Sequence, residues 1–324
     1  YQLEIENRRL QQHDQNMPLK GIITASPQML KVCRTIEKIA PSDITTLLLG
    51  ASGTGKERCA QALHELSPRA QQPMVAINCA AIPDNLLESE LFGYEKGAFT
   101  GAVNQTKGKI ETASGGTLFL DEIGEMPMSM QAHLLRVLEE KTIRPVGANQ
   151  ETPVDARIIA ATNRKLEQLV AEGRFRKDLF FRLNVLNLQI PALRDRIEDL
   201  KILANYFIQS LSASLGVKSL ALSESELALL SAYHWPGNVR ELKNVIERSL
   251  LLNKPASECI TGSVQSATAS EDIPATILLE DIEKQHILKI LKMESGNKSA
   301  AARHLGISRK TLERKVTAWE QQQH

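Results

Sequence analysis

Seven residues, Gly50-Ala51-Ser52-Gly53-Thr54-Gly55-Lys56, have the composition of a phosphate cradle. Three glycines let backbone N–H groups curl around phosphate oxygens, and the lysine supplies a mobile cation for the outer phosphates. An apolar strand-like stretch, Thr45 to Leu49, precedes the run and a helical segment follows, so the positive end of a helix adds to the cradle. Glu57 stands where the strict pattern has the Ser or Thr that ligates magnesium, which leaves the ligation of that ion open. About 65 residues downstream, Leu118-Phe119-Leu120-Asp121-Glu122 ends an apolar run in two carboxylates. In that place Asp121 suits holding Mg²⁺, directly or through water, and Glu122 suits polarising a water as general base. An acidic turn after a core strand is the alternative; the cradle upstream makes it the poorer reading. The chemistry these residues fit is transfer of a nucleoside triphosphate's terminal phosphoryl group to water.

Such groups need a scaffold that brings two loops to one edge. Residues 45–49, 74–78, 117–121 and 156–162 read as buried strands separated by amphipathic helices, the pattern of a parallel sheet covered on both faces. After Pro191 the strands stop, and Ile197 to Leu252 is helical by periodicity with a break at Trp235-Pro236-Gly237-Asn238. Residues 255–276 are small and polar, as in a linker, and a helical module closes the chain. Residues 1–18, with Leu3 and Leu10 seven apart, read as a short helix or a solvated tail.

Between the cradle and the acidic strand end lies Gly97-Ala98-Phe99-Thr100-Gly101-Ala102, small residues around one Phe and one Thr. ATP hydrolysis needs no such insertion, whereas a flexible loop with an aromatic tip suits touching a partner. This is the GAFTGA sequence, and with its leader Glu88 to Lys96 the chain resembles the AAA+ activators of sigma-54 RNA polymerase, the bacterial enhancer-binding proteins. The resemblance runs from about residue 20 to 255. It implies an α/β AAA+ P-loop NTPase fold over residues 20–190 with an all-α lid over 191–254, binding ATP and Mg²⁺. Farther on, the run Gly296 to Lys315 resembles the Fis-type helix-turn-helix that closes many activators of this family, which implies a C-terminal all-α domain over 277–324, with a linker over 255–276 and a connecting helix or tail over 1–19. By the same resemblance Asn78 restrains Glu122, Asn163 after Thr162 is sensor I, and Arg240 is sensor II. Arg176 and Arg182 are the candidate arginine fingers, presented to a neighbouring subunit's ATP, with Arg174 a weaker third. Gly97 to Ala102 would contact sigma-54 in its polymerase holoenzyme. The expected assembly is a dimer when inactive and a hexameric or heptameric ring when active. Domains of this family usually follow a regulatory domain, so ahead of residue 1 the resemblance leaves open the receiver of a two-component response regulator, a small-molecule sensor or nothing; Glu4 to Leu10 resembles a linker that follows a receiver.

The chain of 324 residues carries a net charge of +1, so its bulk makes no electrostatic case for nucleic acid and any such case must be local. It is local: residues 296–316 hold Lys298, Arg303, Arg309, Lys310, Arg314 and Lys315 against Glu313 alone. Here Ala300 to Leu305 reads as a helix, Gly306 as a turn and Ser308 as the cap of a second helix. Leu312 and Val316 would face inward, leaving Arg309, Lys310, Thr311 and Arg314 toward the groove of double-stranded enhancer DNA. The amphipathic stretch from Ile277 to Met293 is a candidate dimerisation helix, and Trp319 reads as core. The four cysteines show no metal spacing and read as reduced structural thiols of a cytoplasmic protein. Two rivals share part of this pattern. A replication initiator or helicase loader has no use for the GAFTGA loop; a repressor holding ATP as a structural ligand has no use for Asp121-Glu122 and the finger arginines.

Overall fold

The computed structural model describes residues 19, 21–98, 102, 104–260, 287, 290, 294, 297–304 and 307–321, with backbone alone at 85, 300, 303 and 316–321. Residues 1–18 and 261–286, expected as tail and as linker leading into a helix, lie outside these. The chain divides into two units, the first ending at Ile260 and the second beginning at Thr261.

In the first unit the chain forms α1 (Pro27–Ile39), β1 (Thr46–Leu49), α2 (Lys56–Glu65), β2 (Met74–Asn78) and α3 (Asp84–Phe92). A small hairpin, β3 (Gly93–Tyr94) and β4 (Thr106–Lys107), leads to α4 (Lys109–Thr112) and β5 (Thr117–Asp121). Then come α5 (Met128–Glu140), a second hairpin of β6 (Thr142–Ile143) and β7 (Thr152–Pro153), and β8 (Arg157–Thr162). Helices α6 (Leu166–Ala171) and α7 (Lys177–Leu183) precede β9 (Leu186–Gln189). Five strands form one parallel sheet in the order β2-β5-β8-β1-β9.

The sheet is buried on both faces because alternate strand residues point opposite ways. Leu118, Leu120, Ile158 and Ala160 meet Leu134 and Val137 of α5 and Leu179 and Leu183 of α7 in one cluster. Phe119, Ile159 and Ala161 meet Ile36 of α1 and Leu63 of α2 in the other. The four expected strands are present, but β2, expected to be buried, lies at a sheet edge with Ile77 its one buried residue; β9 is a fifth that the sequence pattern did not reveal. Its residues alternate Leu-Asn-Leu-Gln at the sheet edge, so it lacks the continuous apolar run of an inner strand. At the start of β8 the side chain of Arg157 is 1% exposed, yet it is not an ion-pair residue. Its guanidinium donates to Ala40 O at 2.7 Å, Leu63 O at 3.2 Å and Ile39 O at 3.4 Å, so one cation neutralises the C-terminal ends of α1 and α2.

The lid comprises α8 (Asp199–Leu215), α9 (Glu224–Ala232) and α10 (Asn238–Leu252) around Trp235, Leu203, Leu230 and Val245. Ser223 and Glu226 form a capping box that starts α9. Residues 256–259, read as linker, instead make a short 3₁₀ helix whose Ala256 and Cys259 are buried in this core, so the lid extends to about residue 260. Small size makes both residues look like linker; burial under α10 gives them a packing role.

In the second unit α11 (Lys298–His304) and α12 (Arg309–Gln321) enclose a small core of Ile287, Ile290, Ala301, Ala302 and Leu312, with Ile307 against it. No helix among the described residues is long and apolar enough to cross a membrane.

Candidate functional site

The inner position of β1 decides where the cradle opens. Strand β1 lies between β8 and β9, and its C-terminal end delivers Gly50 to Gly55 beside the ends of β5 and β8, where open parallel sheets place ligands. Gly53 and Gly55 have φ of +77° and +105°, backbone that only glycine adopts cheaply. Lys56, 7% exposed, donates to Gly50 O at 3.0 Å and to Ala51 O at 3.3 Å. Thr54 is buried and gives its hydroxyl proton to Ala51 O at 2.8 Å, while Glu57 is exposed.

Asp121 and Glu122 end β5 opposite the cradle. Glu122 Oε1 is 3.8 Å from Lys56 Nζ, and its Oε2 accepts from the backbone N–H of Asn163 at 3.3 Å. The residue sits at φ 51°, ψ 47°, a left-handed conformation costly for a non-glycine, and Asp121 Oδ1 accepts from its N–H at 3.0 Å. Asn78 is level with Asp121 in the sheet register, but its Oδ1 accepts from Ala80 N–H at 2.9 Å in a local turn. Glu122 is therefore held by Lys56 and Asn163 in this structure, not by Asn78. Burial first, then the nearby Asp121 carboxylate, push the neighbouring Cys79 thiol up to about 12, which leaves a neutral packing group.

The start of α10 lies directly on the phosphate loop. Val239 N–H and Arg240 N–H both point at Gly53 O, at 3.0 and 3.4 Å, and Arg240 Nη1 donates to Ser52 Oγ at 3.0 Å. Any side chain at Gly53 would collide with Gly237 O, since a Cβ there would lie 2.3 Å from it. Asn238 is a site residue that sequence reasoning passed over. It is buried with φ 52°, its Nδ2 donates to Ser52 O at 2.9 Å, and its Oδ1 accepts from Leu193 N–H at 2.9 Å. Trp235, three residues earlier, also has a positive φ of 49°. The only hint in the sequence is the Pro-Gly pair between them, which marks a tight turn without saying what it touches.

The two finger candidates lie around α7. Arg176 forms a two-point pair with Asp178, Nε to Oδ1 at 3.0 Å and Nη2 to Oδ2 at 2.7 Å, which holds the Asp178 carboxyl below the usual carboxylate range. Arg182 is exposed, and its Nη2 donates to Leu138 O near the end of α5 at 3.1 Å. Arg174 pairs with Glu172 at 3.4 Å. Phe181 beside them is 62% exposed.

Of the loop from Gly97 to Ala102, residues Phe99, Thr100 and Gly101 lie outside the described residues. Its base is closed by a bond from Gly97 N–H to Ala102 O at 2.9 Å, with Gly97 at φ +83°. Below the base, β3 pairs with β4, and the segment after β6 pairs with β3: Val146 N–H donates to Gly93 O at 2.9 Å and Glu95 N–H to Val146 O at 3.0 Å. Gly93 has φ +77° and no room for a Cβ, which would come within 2.4 Å of Thr106 O.

In the second unit Ser308 caps α12, accepting from Thr311 N–H at 3.1 Å, and Asn297 Oδ1 accepts from Ser299 N–H at 3.1 Å at the head of α11. Lys298, Ser308, Arg309, Lys310 and Arg314 are exposed, Thr311 and Lys315 half-buried, and Leu312 fully buried. Arg309 pairs with Glu313 at 2.9 Å. The side chains of Arg303, Val316 and Trp319, and the whole of Leu305 and Gly306, lie outside the description.

Three stretches of the chain match known families. Residues 22–189 match the Sigma-54 interaction domain, 194–275 the AAA+ ATPase lid domain and 278–319 the Fis family of bacterial regulatory proteins. The chain is 47% identical over 305 residues to regulatory protein AtoC of Escherichia coli K12, covering 90% of this chain and 66% of that protein. Over 311 residues it is 45% identical to transcriptional regulatory protein ZraR of Salmonella typhimurium, covering 92% of this chain and 68% of that protein. Over 329 residues it is 44% identical to DNA-binding transcriptional activator HyfR of Escherichia coli K12, covering 96% and 49%. The chain thus spans about half to two thirds of the length of these relatives. Among solved structures, NtrX from Brucella abortus in complex with ATP superposes with a TM-score of 0.74 at 33% identity, covering 98% of this chain and 73% of that one. With a parallel-sheet P-loop core, a helical lid seated on that loop and an unchanged GAFTGA sequence, the chain belongs to the sigma-54 interaction domain family of AAA+ proteins.

Proposed function

We propose that this chain is an ATP-driven transcription activator that binds upstream DNA and remodels sigma-54 RNA polymerase from closed to open promoter complexes. The observation that carries the reading is the GAFTGA sequence, mounted on its own braced hairpin stem ahead of the strand that ends in Asp121-Glu122.

The backbone N–H groups of Gly50 to Gly55 would hold the phosphates of ATP, with Lys56 exchanging its bonds to Gly50 O and Ala51 O for phosphate oxygens. Glu122 would take a proton from the attacking water. Its bond from Asn163 N–H supports a sensor I role for Asn163, which would register that event, and Arg240 would sense the nucleotide from the lid. Asp121 fits Mg²⁺: it is a half-exposed carboxylate beside the cradle, and this ion needs few protein ligands when phosphate and water oxygens complete its shell. When bound, the ion neutralises charge on the phosphate oxygens. Lacking a Ser or Thr after Lys56, the chain would rely on Asp121, with Glu57 turned to solvent. Arg176 and Arg182 lie on the surface around α7, which suits action on a neighbouring subunit's ATP and requires a ring, six or seven subunits by family pattern. Before it assembles, a dimer is the expected state. Asn78 would reach Glu122 only after giving up its turn with Ala80. The exposed face of α12 would bind double-stranded DNA.

The test is open-complex formation by sigma-54 holoenzyme given this protein with ATP and then with a non-hydrolysable analogue. Opening only with hydrolysis is expected. A Thr100→Ala variant should lose opening while keeping most of its ATPase rate. A chain that hydrolyses ATP and assembles but opens no sigma-54 promoter would overturn the reading.

A further inference from the structure

Arg196 and Asp199 belong to none of the motifs above, yet they are 3% and 0% exposed. They stand at the head of the lid with Arg196 Nη1 3.7 Å from Asp199 Oδ2. A sealed ion pair gains little stability over apolar residues of the same volume, because desolvating both charges offsets their attraction. What distinguishes this pair is what its outer ends hold. Nη2 of Arg196 donates to Thr54 O, inside the phosphate loop, at 2.7 Å. The Asp199 carboxylate accepts from Thr24 Oγ1 at 2.9 and 2.8 Å, from Ala25 N–H at 2.6 Å and from Ser26 N–H at 2.9 Å. Thr24 and Ser26 are each 1% exposed. Nε of Arg196 is buried with no hydrogen-bond partner. An orphaned donor is costly, so the guanidinium is placed for Thr54 and Asp199 and not for its own solvation.

The segment at the far end lies on a seam. Ile22 packs in the sheet core beside Ile36 and Leu188, while Ile23 packs against the lid core. Residues 22–26 therefore touch both halves of the nucleotide domain and lead directly into α1. The loop cannot re-aim its N–H groups by moving the Thr54 peptide without stretching the bond to Arg196. Arg196 cannot follow without leaving Asp199, and Asp199 anchors three successive residues.

We propose that Arg196 and Asp199 are positioning residues, a buried relay from Thr54 O to Thr24–Ser26 that couples the phosphate loop's grip on ATP to the segment leading into α1. The relay rests on the reading of that loop as an ATP site. It works only through a difference in fit between nucleotide states, as any ligand-driven shift must.

The experiment uses the full chain and reads two quantities: affinity for a fluorescent ATP analogue, and amide hydrogen exchange at Ala25 and Ser26 with and without ATP. In the unmodified chain ATP should slow exchange at both amides. Arg196→Met keeps length and apolar volume; it should weaken analogue binding about tenfold, the worth of a hydrogen bond to a charged group, and ATP should no longer slow exchange at Ala25 and Ser26. Thr24→Val removes only a hydroxyl at the far end and should also weaken binding several-fold, on the order of one neutral hydrogen bond. The double variant should bind no worse than Arg196→Met alone, because both cut one chain of contacts. Multiplying effects, or exchange that rises equally with and without ATP, would overturn the relay and leave a merely structural pair. An unmodified chain that bound no analogue would sink the ATP reading itself, a result separate from lost coupling in a chain that binds.

Discussion

At the scale of single residues, Glu122 carries the greatest chemical burden. Just past the end of β5 it is held at positive φ without being a glycine, and strain of this kind costs on the order of 1–3 kcal/mol. Lys56 on one side and Asn163 N–H on the other fix its carboxylate, so its geometry is set before any substrate arrives. Glu122→Gln keeps the shape and the bond from Asn163 but cannot take a proton. Hydrolysis should fall by about 10²–10⁴-fold while ATP affinity stays within a few-fold, checked by single-turnover kinetics beside equilibrium binding. An equal loss of binding would make Glu122 a ligand-holding group instead. Arg157 shows the same economy in a structural role. Arg157→Met should cost about 3 kcal/mol in urea unfolding, because Ala40, Leu63 and Ile39 would keep buried carbonyls without a donor. A loss below about 1 kcal/mol would mean that solvent reaches those helix ends.

At the scale of elements, the loop stem is built from unusually short pieces: β3 and β4 have two residues each, and the turn after β6 pairs with the other edge of β3. Strands this short hold only through close backbone approach, which explains glycine at both 93 and 108; a Cβ on Gly108 would sit 2.4 Å from Leu91 O. Gly93→Ala should therefore unseat the loop. The expected variant hydrolyses ATP at near the parent rate but fails in open-complex formation, and its ATPase rate no longer responds to added sigma-54. If activation survived, the stem would not be what aims the loop. The strands flanking the site were legible because an inner parallel strand is an unbroken apolar run. Strand β9 was not, because its Leu-Asn-Leu-Gln run alternates, and the two hairpins were not, because a two-residue strand has no period.

At the scale of the molecule, a charge of +1 conceals one stretch, residues 296–316, in which six basic residues face one acid. Lys310 and Arg314 are exposed on α12, one turn apart. If both meet phosphates, Lys310→Ala with Arg314→Ala should weaken DNA binding and flatten its dependence on log salt by about 2, at roughly 0.9 per phosphate contact. A weakened complex with an unchanged salt slope would place these side chains on bases. Arg309, paired with Glu313, should contribute less to that slope.

Short-range features could be read along the chain: the glycine cradle, the Asp-Glu strand end, the period of the helices and inner strands, the GAFTGA run and the basic patch. Each depends on neighbours a few residues away, and local backbone physics makes such patterns readable. Which residues hold the cradle emerges from the folded chain alone. Arg196 reaches Thr54 across 142 positions, Asp199 reaches Thr24 across 175, and Asn238 reaches Ser52 across 186. Each of these reads locally as an ordinary polar residue near a helix start. Their meaning comes from burial against a distant backbone carbonyl or hydroxyl, and no spacing along the chain encodes it.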